Sequence, residues 1–355
     1  FSICSHLSLY REQCRTVVYG ITWNVEGVQD SMRKDIVGIE IGMCTTSIVE
    51  VKNGEVKNYV SFDTPENAVG ADGLIAYEAM ADTIKEKLKE EKIQAKHVAL
   101  VLPDANVYLH KTVMPVMTEK QLLVNLPYEF HDMLQDTKDR YAYDYVVTSV
   151  IKDGDTPKEM EILAAAVDKK VIEEYKEMFK RVGLHLVRLE PRELALACFM
   201  KNYALDTGDR MLLNLGDTET VLDMYRNGVY DTSRTLDMGL QTIVEESANL
   251  LNCDPHVARN KLFTSDTQVL KEESVVDIYN RISVEIMRSI NYYSYENQDA
   301  NLDVLYYYGQ GSLVQGLLDA IQENLSVKLL PLQSLNTEEE VLQYAPAAYG
   351  IALEK

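Results

Sequence analysis

A nineteen-residue unit, IVGIEIGMCTTSIVEVKNG at 36–54, is echoed at 211–228 as MLLNLGDTETVLDMYRNG, and this repeat constrains the chain more than any other feature. Placing Gly42 on Gly216 brings Thr46 onto Thr220, Lys52-Asn53-Gly54 onto Arg226-Asn227-Gly228 and Glu40 onto Asn214 without a gap. Each copy reads as a buried strand, a tight turn opening at glycine, a second strand and an Asn-Gly hairpin turn. Asn-Gly marks a type I′ turn because both central residues need positive φ. A repeat of this length implies two related half-molecules. A turn of small and hydroxyl residues between two strands aims backbone N–H groups and Thr or Ser oxygens at one point, which makes an anion nest. Two such nests facing each other across a cleft are expected to hold a polyphosphate and its metal. The same pattern is also that of two ordinary β-hairpins.

The chain has 355 residues, enough for two domains with separate cores. Its 35 basic and 56 acidic residues give a net charge of −21, which argues against nucleic acid or anionic lipid as direct partners. No apolar run reaches the roughly 18 residues of a membrane span, so no direct membrane insertion is expected. Five scattered cysteines without CxxC spacing fit a reducing cytoplasm and no disulfide framework or zinc site.

Residues 1–31 lack helical periodicity and contain one β-like run, Thr16 to Trp23, so a loosely ordered extension is expected. Three strands follow, then an amphipathic helix at 71–92 with Tyr77, Met80, Ile84 and Leu88 on its apolar stripe. Strands at 98–102 and 107–113 complete a βββαβ order, the start of a ribonuclease H-like half. Thr118-Glu119-Lys120-Gln121 is a capping box, opening a helix that buries Leu122, Leu126, Phe130 and Leu134 and that Pro127 should kink. Paired strands at 143–151 and 161–167 and a helix from Asp168 to Gly183 complete a small α/β insertion. The expected organisation is a first lobe at 32–113 with 187–206, an insertion at 114–186, and a second lobe at 207–355 with a helical part at about 242–300. Tyr292-Tyr293 and Tyr306-Tyr307-Tyr308 read as core and near-surface packing.

Three glycine turns follow strands: Gly42-Met43-Cys44-Thr45-Thr46, Gly216-Asp217-Thr218-Glu219-Thr220 and Gly309-Gln310-Gly311-Ser312. Their order and duplicated context resemble the actin, Hsp70 and sugar-kinase superfamily. There the first two turns hold phosphates, and the third lets a nucleoside approach backbone that lacks a Cβ. Within it the chain resembles the PilM family of type IV pilus assembly, related to FtsA. The resemblance covers about 33–353 and is carried by IVGIEIG at 36–42, the stretches 98–130 and 162–197, and YGQGSLVQGLLDAIQENLSVKLLPL at 308–332. It implies a duplicated ribonuclease H-like, actin/Hsp70-type two-lobed α/β fold whose first lobe carries an SHS2-like insertion. FtsA ends in an amphipathic membrane helix, whereas this sequence stops at Lys355 as the fold closes.

The resemblance further implies ATP with Mg2+ as ligand. Its site would comprise Glu40, Gly42, Cys44, Thr45 and Thr46 of the first turn, and Asn214, Gly216, Asp217, Thr218 and Thr220 of the second. Gly239 would join them, with Gly309, Gln310, Gly311 and Ser312 of the third turn. The family carries Asp where this chain has Glu40 and Asn214, the positions expected to hold magnesium, and a second glycine where it has Gln310. Loss of one carboxylate weakens a magnesium site, so the expectation is an altered or vestigial ATP site with at most weak ATPase activity. No catalytic residue is assigned. The implied partner is the cytosolic N-terminal tail of a PilN-like bitopic membrane protein, taken in a groove beside the insertion, with the pilus motor ATPase as a further partner. The chain is accordingly expected to be a cytoplasmic scaffold held at the inner face of the membrane. Nucleotide would act by changing the angle between the lobes and so the groove. A small-molecule kinase of the same superfamily and an FtsA-like filament protein stand as alternatives.

Overall fold

The computed structural model describes residues 23–24, 35–66, 68–70, 75–134, 139–264, 268–337 and 339–353. The chain divides into two compact units, residues 1–200 with 347–355 and residues 201–346. In unit 1, β2 (Asp35–Ile41), β3 (Thr45–Lys52) and β4 (Glu55–Asp63) form an antiparallel meander. Asn53 and Gly54 turn between β3 and β4 at φ 56° and 79°, as the type I′ reading requires. β5 (His97–Leu102) runs parallel to β2, and β9 (His185–Pro191) parallel to β5. A two-residue β1 (Trp23–Asn24) pairs antiparallel with β9, giving the order β1-β9-β5-β2-β3-β4. Most of the predicted loose extension at 1–31 lies outside the described residues, but Trp23–Asn24 joins the sheet edge.

Helix α1 (Tyr77–Glu90) buries Met80, Ile84 and Leu88 of the expected stripe together with Ala81, while Tyr77 is half-buried. The expected first turn at 71–74 lies outside the described residues. The predicted insertion boundaries shift. Pro103 and a 3-10 turn at Asp104–Asn106 lead the chain out of the first sheet. The following strand, β6 (Tyr108–Pro115), therefore pairs with β8 (Thr156–Asp168) rather than extending the lobe. With β7 (Tyr141–Asp153) these make a separate sheet, order β6-β8-β7. Helix α2 (Glu119–Glu129) opens with the expected box, Thr118 N–H donating to Gln121 Oε1 at 2.9 Å and Gln121 N–H to Thr118 Oγ1 at 3.4 Å. Its Leu122 and Leu126, with Phe130, pack on Met160, Ile162, Ala164 and Ala166 of that sheet.

Helix α3 (Lys169–Val182) is capped by Asp168 and closed by Gly183 at φ 96°. It belongs with the lobe and not with the insertion to which the sequence reading gave it. Tyr175 meets Tyr77 edge-on at 5.4 Å, and Arg181 pairs with Glu78 at 2.9 Å on α1. Helix α4 (Arg192–Asn202) follows β9 directly.

Unit 2 repeats the meander. β10 (Arg210–Leu215), β11 (Thr220–Arg226) and β12 (Val229–Leu236) are joined by parallel β13 (Val304–Tyr308) and β14 (Lys328–Pro331), order β12-β11-β10-β13-β14. The duplication holds to the register: Glu40 faces Ser47 and Ile41 faces Thr46, as Asn214 faces Val221 and Leu215 faces Thr220. Asn227 and Gly228 repeat the turn at φ 50° and 77°. Helices α5 (Leu240–Leu251), α6 (Pro255–Thr264) and α7 (Glu273–Glu296) cover the sheet, burying Ile243, Ile278, Ile282, Ile286 and Ile290. Helix α8 (Gln315–Asn324) and a short α9 (Val341–Tyr344) complete the unit. Of the tyrosine runs, Tyr293 and Tyr308 are buried and Tyr307 packs on the helical core, while Tyr292 is exposed.

The terminal helix α10 (Pro346–Ala352) was expected in the second lobe, but it packs in unit 1. A Cβ on Gly38 would lie 1.8 Å from Ala348 O, and one on Gly350 2.0 Å from Ala195 O. Glycine on β2 and on α10 is what lets the helix lie between β2 and α4. Arg188 of β9 fixes its end, donating from Nη1 to Ile351 O at 2.8 Å and Leu353 O at 2.9 Å.

Candidate functional site

The two repeated turns close identically. Gly42 N–H donates to Thr45 O at 3.0 Å, and Gly216 N–H to Glu219 O at 3.0 Å. A Cβ at Gly42 would come within 2.7 Å of Thr45 O, and one at Gly216 within 2.8 Å of Glu219 O, so each turn needs its glycine for tightness. Met43 stands out from the first turn, with Cys44 and Thr45 partly exposed beside it. Asp217, Thr218 and Glu219 are partly exposed in the second.

The threonines that close the turns are supports rather than ligand-facing groups. Thr46 is fully buried, 2.8 Å from Thr64 Oγ1, which itself donates to Gly42 O at 2.8 Å. Because Thr64 spends its one hydrogen on Gly42 O, Thr46 is the donor of the pair. Thr220 is buried likewise and donates to Met238 O at 2.8 Å, the position equivalent to Thr64 in the repeat.

The second turn also consumes a helix terminus. Leu240 N–H donates to Gly216 O at 3.0 Å and Gln241 N–H to Asp217 O at 2.7 Å, so the turn caps α5. Gly239 is where they cross, since a Cβ there would sit 2.5 Å from Asp217 O. The first N–H groups of a helix ordinarily make an anion site, and here these two are satisfied by protein carbonyls. The Asp217 carboxylate is drawn to Arg259 at 2.6 Å, which neutralises a group that would repel phosphate.

The third turn abuts the second. Gly309, at φ 97°, would place a Cβ 2.5 Å from Leu215 O and 2.6 Å from Asn214 Oδ1. Asn214 thus lies against the Gly309 backbone. Gln310 begins a 3-10 turn at Gln310–Leu313, with Gly311 and Ser312 buried. Gln343 holds the turn, accepting from Gly309 N–H at 2.7 Å and donating to Ser312 Oγ at 3.2 Å.

In unit 1, Glu40 ends β2 beside groups that the sequence reading did not single out. Asp104 follows β5 and Arg192 with Glu193 follow β9, so all sit at the carboxyl ends of parallel strands, the usual place for chemistry in such sheets. Arg192 and Glu193 are 6% and 5% exposed, joined at 3.1 Å, and Asp104 reaches Arg192 at 3.5 Å. Burial pushes the Glu40 carboxyl up from 4.5 to about 7, against the pull of the Arg192 guanidinium; Asp104 adds to the rise, and the Ala348 N–H opposes it. A polar residue directly after a buried strand was the available signal, masked here because Pro191-Arg192-Glu193 reads as an ordinary helix start.

In unit 1 a divalent cation fits poorly beside Glu40, whose carboxyl burial pushes up, and Arg192, which already supplies a positive charge. In unit 2, Asn214 offers a neutral amide where a carboxylate was expected. Among the described residues no three His, Cys, Asp or Glu side chains converge to hold a metal ion.

Duplicated meanders, parallel crossovers and glycine turns at the strand ends define an actin-like fold of two related lobes. The family described as type IV pilus assembly protein PilM matches residues 35–345, and the chain belongs to that family. The structure is similar to that of a PilM-PilN type IV pilus biogenesis complex, with a TM-score of 0.76 and 21% identity over 90% of this chain and 98% of that one. It is also similar to ethanolamine utilization protein EutJ from Carboxydothermus hydrogenoformans, with a TM-score of 0.58 and 14% identity over 96% and 94% of the two chains. A ROK family glucokinase from Streptomyces griseus, in complex with glucose and AMPPNP, gives 0.50 and 11% over 90% and 98%. No curated protein matches the chain in sequence. No helix among the described residues is long and apolar enough to cross a membrane.

Proposed function

We propose that the chain is a cytoplasmic scaffold of type IV pilus biogenesis that takes the cytosolic tail of a PilN-like bitopic protein and is held at the membrane through it. Membership of the PilM family and the likeness to a PilM-PilN complex support this reading. The net charge of −21 favours a basic segment in the partner's tail. The pilus motor ATPase is a second candidate partner. The nucleotide site is altered: each glycine turn keeps its closure, while Asn214 stands at an acid position and the turn threonines and the α5 terminus are engaged internally. The observation that carries the altered-site reading is Asn214 lying against the Gly309 backbone instead of offering a carboxylate.

Calorimetry with a peptide of the partner's cytosolic tail, with and without ATP, tests both parts. The expected result is saturable peptide binding, with ATP hydrolysis no faster than the blank. Absence of peptide binding would overturn the scaffold reading, and steady phosphate release would overturn the altered site.

A further inference from the structure

An arginine buried among acids at the end of a parallel sheet needs a reason to be there. Guanidinium desolvation is costly unless carboxylates surround it, and removing such a partner leaves a buried charge uncompensated. Arg192 meets that condition. It holds Glu193 at 3.1 Å and Asp104 at 3.5 Å while 7% of its side chain remains exposed, and its field acts on Glu40. The three acids come from three places: Glu40 from the end of β2, Asp104 from the turn after β5, and Glu193 from the first turn of α4. They are gathered by the sheet, not by neighbouring sequence. An actin-like site with a hydrated magnesium would place a dication among acids such as these.

We propose that Arg192 is the resident counter-cation of Asp104 and Glu193 beside the Glu40 end of β2, and that this lobe keeps those two acids balanced without a divalent metal. The Asp104 and Glu193 carboxylates both reach Arg192 Nη2, and among the described residues no three His, Cys, Asp or Glu side chains form a metal-holding set. An arginine cannot be titrated away at any physiological pH, so the balance is permanent where a metal's would depend on its concentration. Asp104 and Glu193 both pair with Nη2 of that guanidinium, which ties the turn after β5 to the start of α4 with no ligand bound. Arg192 is thus a positioning residue. The proposal deepens the altered-site reading above and rests on it only for its functional meaning.

The test is titration of the full chain with Mn2+ alone, followed by electron paramagnetic resonance of the free ion. Wild-type protein is expected to show no site tighter than millimolar. Arg192→Gln removes the cation facing Asp104 and Glu193 and is expected to gain a single site at least tenfold tighter, whereas Arg192→Lys, which keeps the charge, stays like wild type. A sub-millimolar site in wild-type protein would overturn the proposal, whatever the variants do. So would a folded Arg192→Gln protein that gains nothing. Should Arg192→Gln fail to fold, Glu193→Gln in the wild-type background still decides. With a surplus cation that variant is expected to show no Mn2+ site either, and a sub-millimolar site gained there overturns the proposal. Failure here leaves peptide binding untouched, so it is distinguishable from failure of the scaffold reading.

Discussion

At the scale of single residues, Glu40 has the most to report. Between pH 4.5 and about 7 the folded chain keeps a proton that the unfolded chain has released, so stability falls as pH rises through that window. The full cost above the window is about 3 kcal/mol on the usual conversion. Glu40→Gln removes it, so the variant is expected to melt higher than wild type at pH 8, with the gap closing below pH 4.5. Calorimetric melting across that range measures it, and a gap independent of pH would contradict the assignment. The turn threonines make a complementary point at this scale. Thr46 and Thr220 have the residue type of phosphate ligands, yet both hydroxyls are spent on the chain itself.

Among the elements, α10 depends most on a single contact. Arg188 Nη1 donates to Ile351 O in the last turn of α10 and to Leu353 O just beyond it, and Glu190 lies 3.7 Å from the same side chain with no exposed surface. Arg188→Met removes the donor and leaves Glu190 without this cation, at a cost of about 3–5 kcal/mol. Urea denaturation is expected to show that loss, and Arg188→Met with Glu190→Met to recover much of it. An equal loss in the double variant would mean the carbonyl bonds matter and the charge pair does not. The insertion shows how an element's partner can override its place in the chain. β6 follows β5 by a few residues but pairs with β8, because Pro103 and the turn after it end the first sheet.

For the molecule as a whole, the two units have unequal claims on the C-terminus. Unit 1 needs residues 347–353 for its core, since Tyr349, Ile351 and Leu353 are 2%, 0% and 5% exposed there. Burying each such side chain contributes about 1.5–3 kcal/mol. Deleting 347–355 is therefore expected to loosen unit 1 and spare unit 2. Limited proteolysis read by mass spectrometry should find early cuts within 35–200 and late ones within 201–346. Early cutting confined to 201–346 would refute that division.

Local pattern carried much of this fold in the sequence. The Asn-Gly turns, the stripe of α1, the capping box of α2 and the repeat of Gly42 in Gly216 all arise from interactions a few residues apart, and all appear where the sequence put them. Tertiary structure decided the rest. It gave β6 to the insertion, α3 to the first lobe against α1, α10 to unit 1, and the Asp104, Arg192 and Glu193 cluster to the carboxyl end of the first sheet's parallel strands. Those choices rest on contacts between residues far apart in the chain. Strand pairing, glycine-to-backbone packing and the neutralising of buried charge depend on what the fold brings alongside, and periodicity within one segment does not encode it.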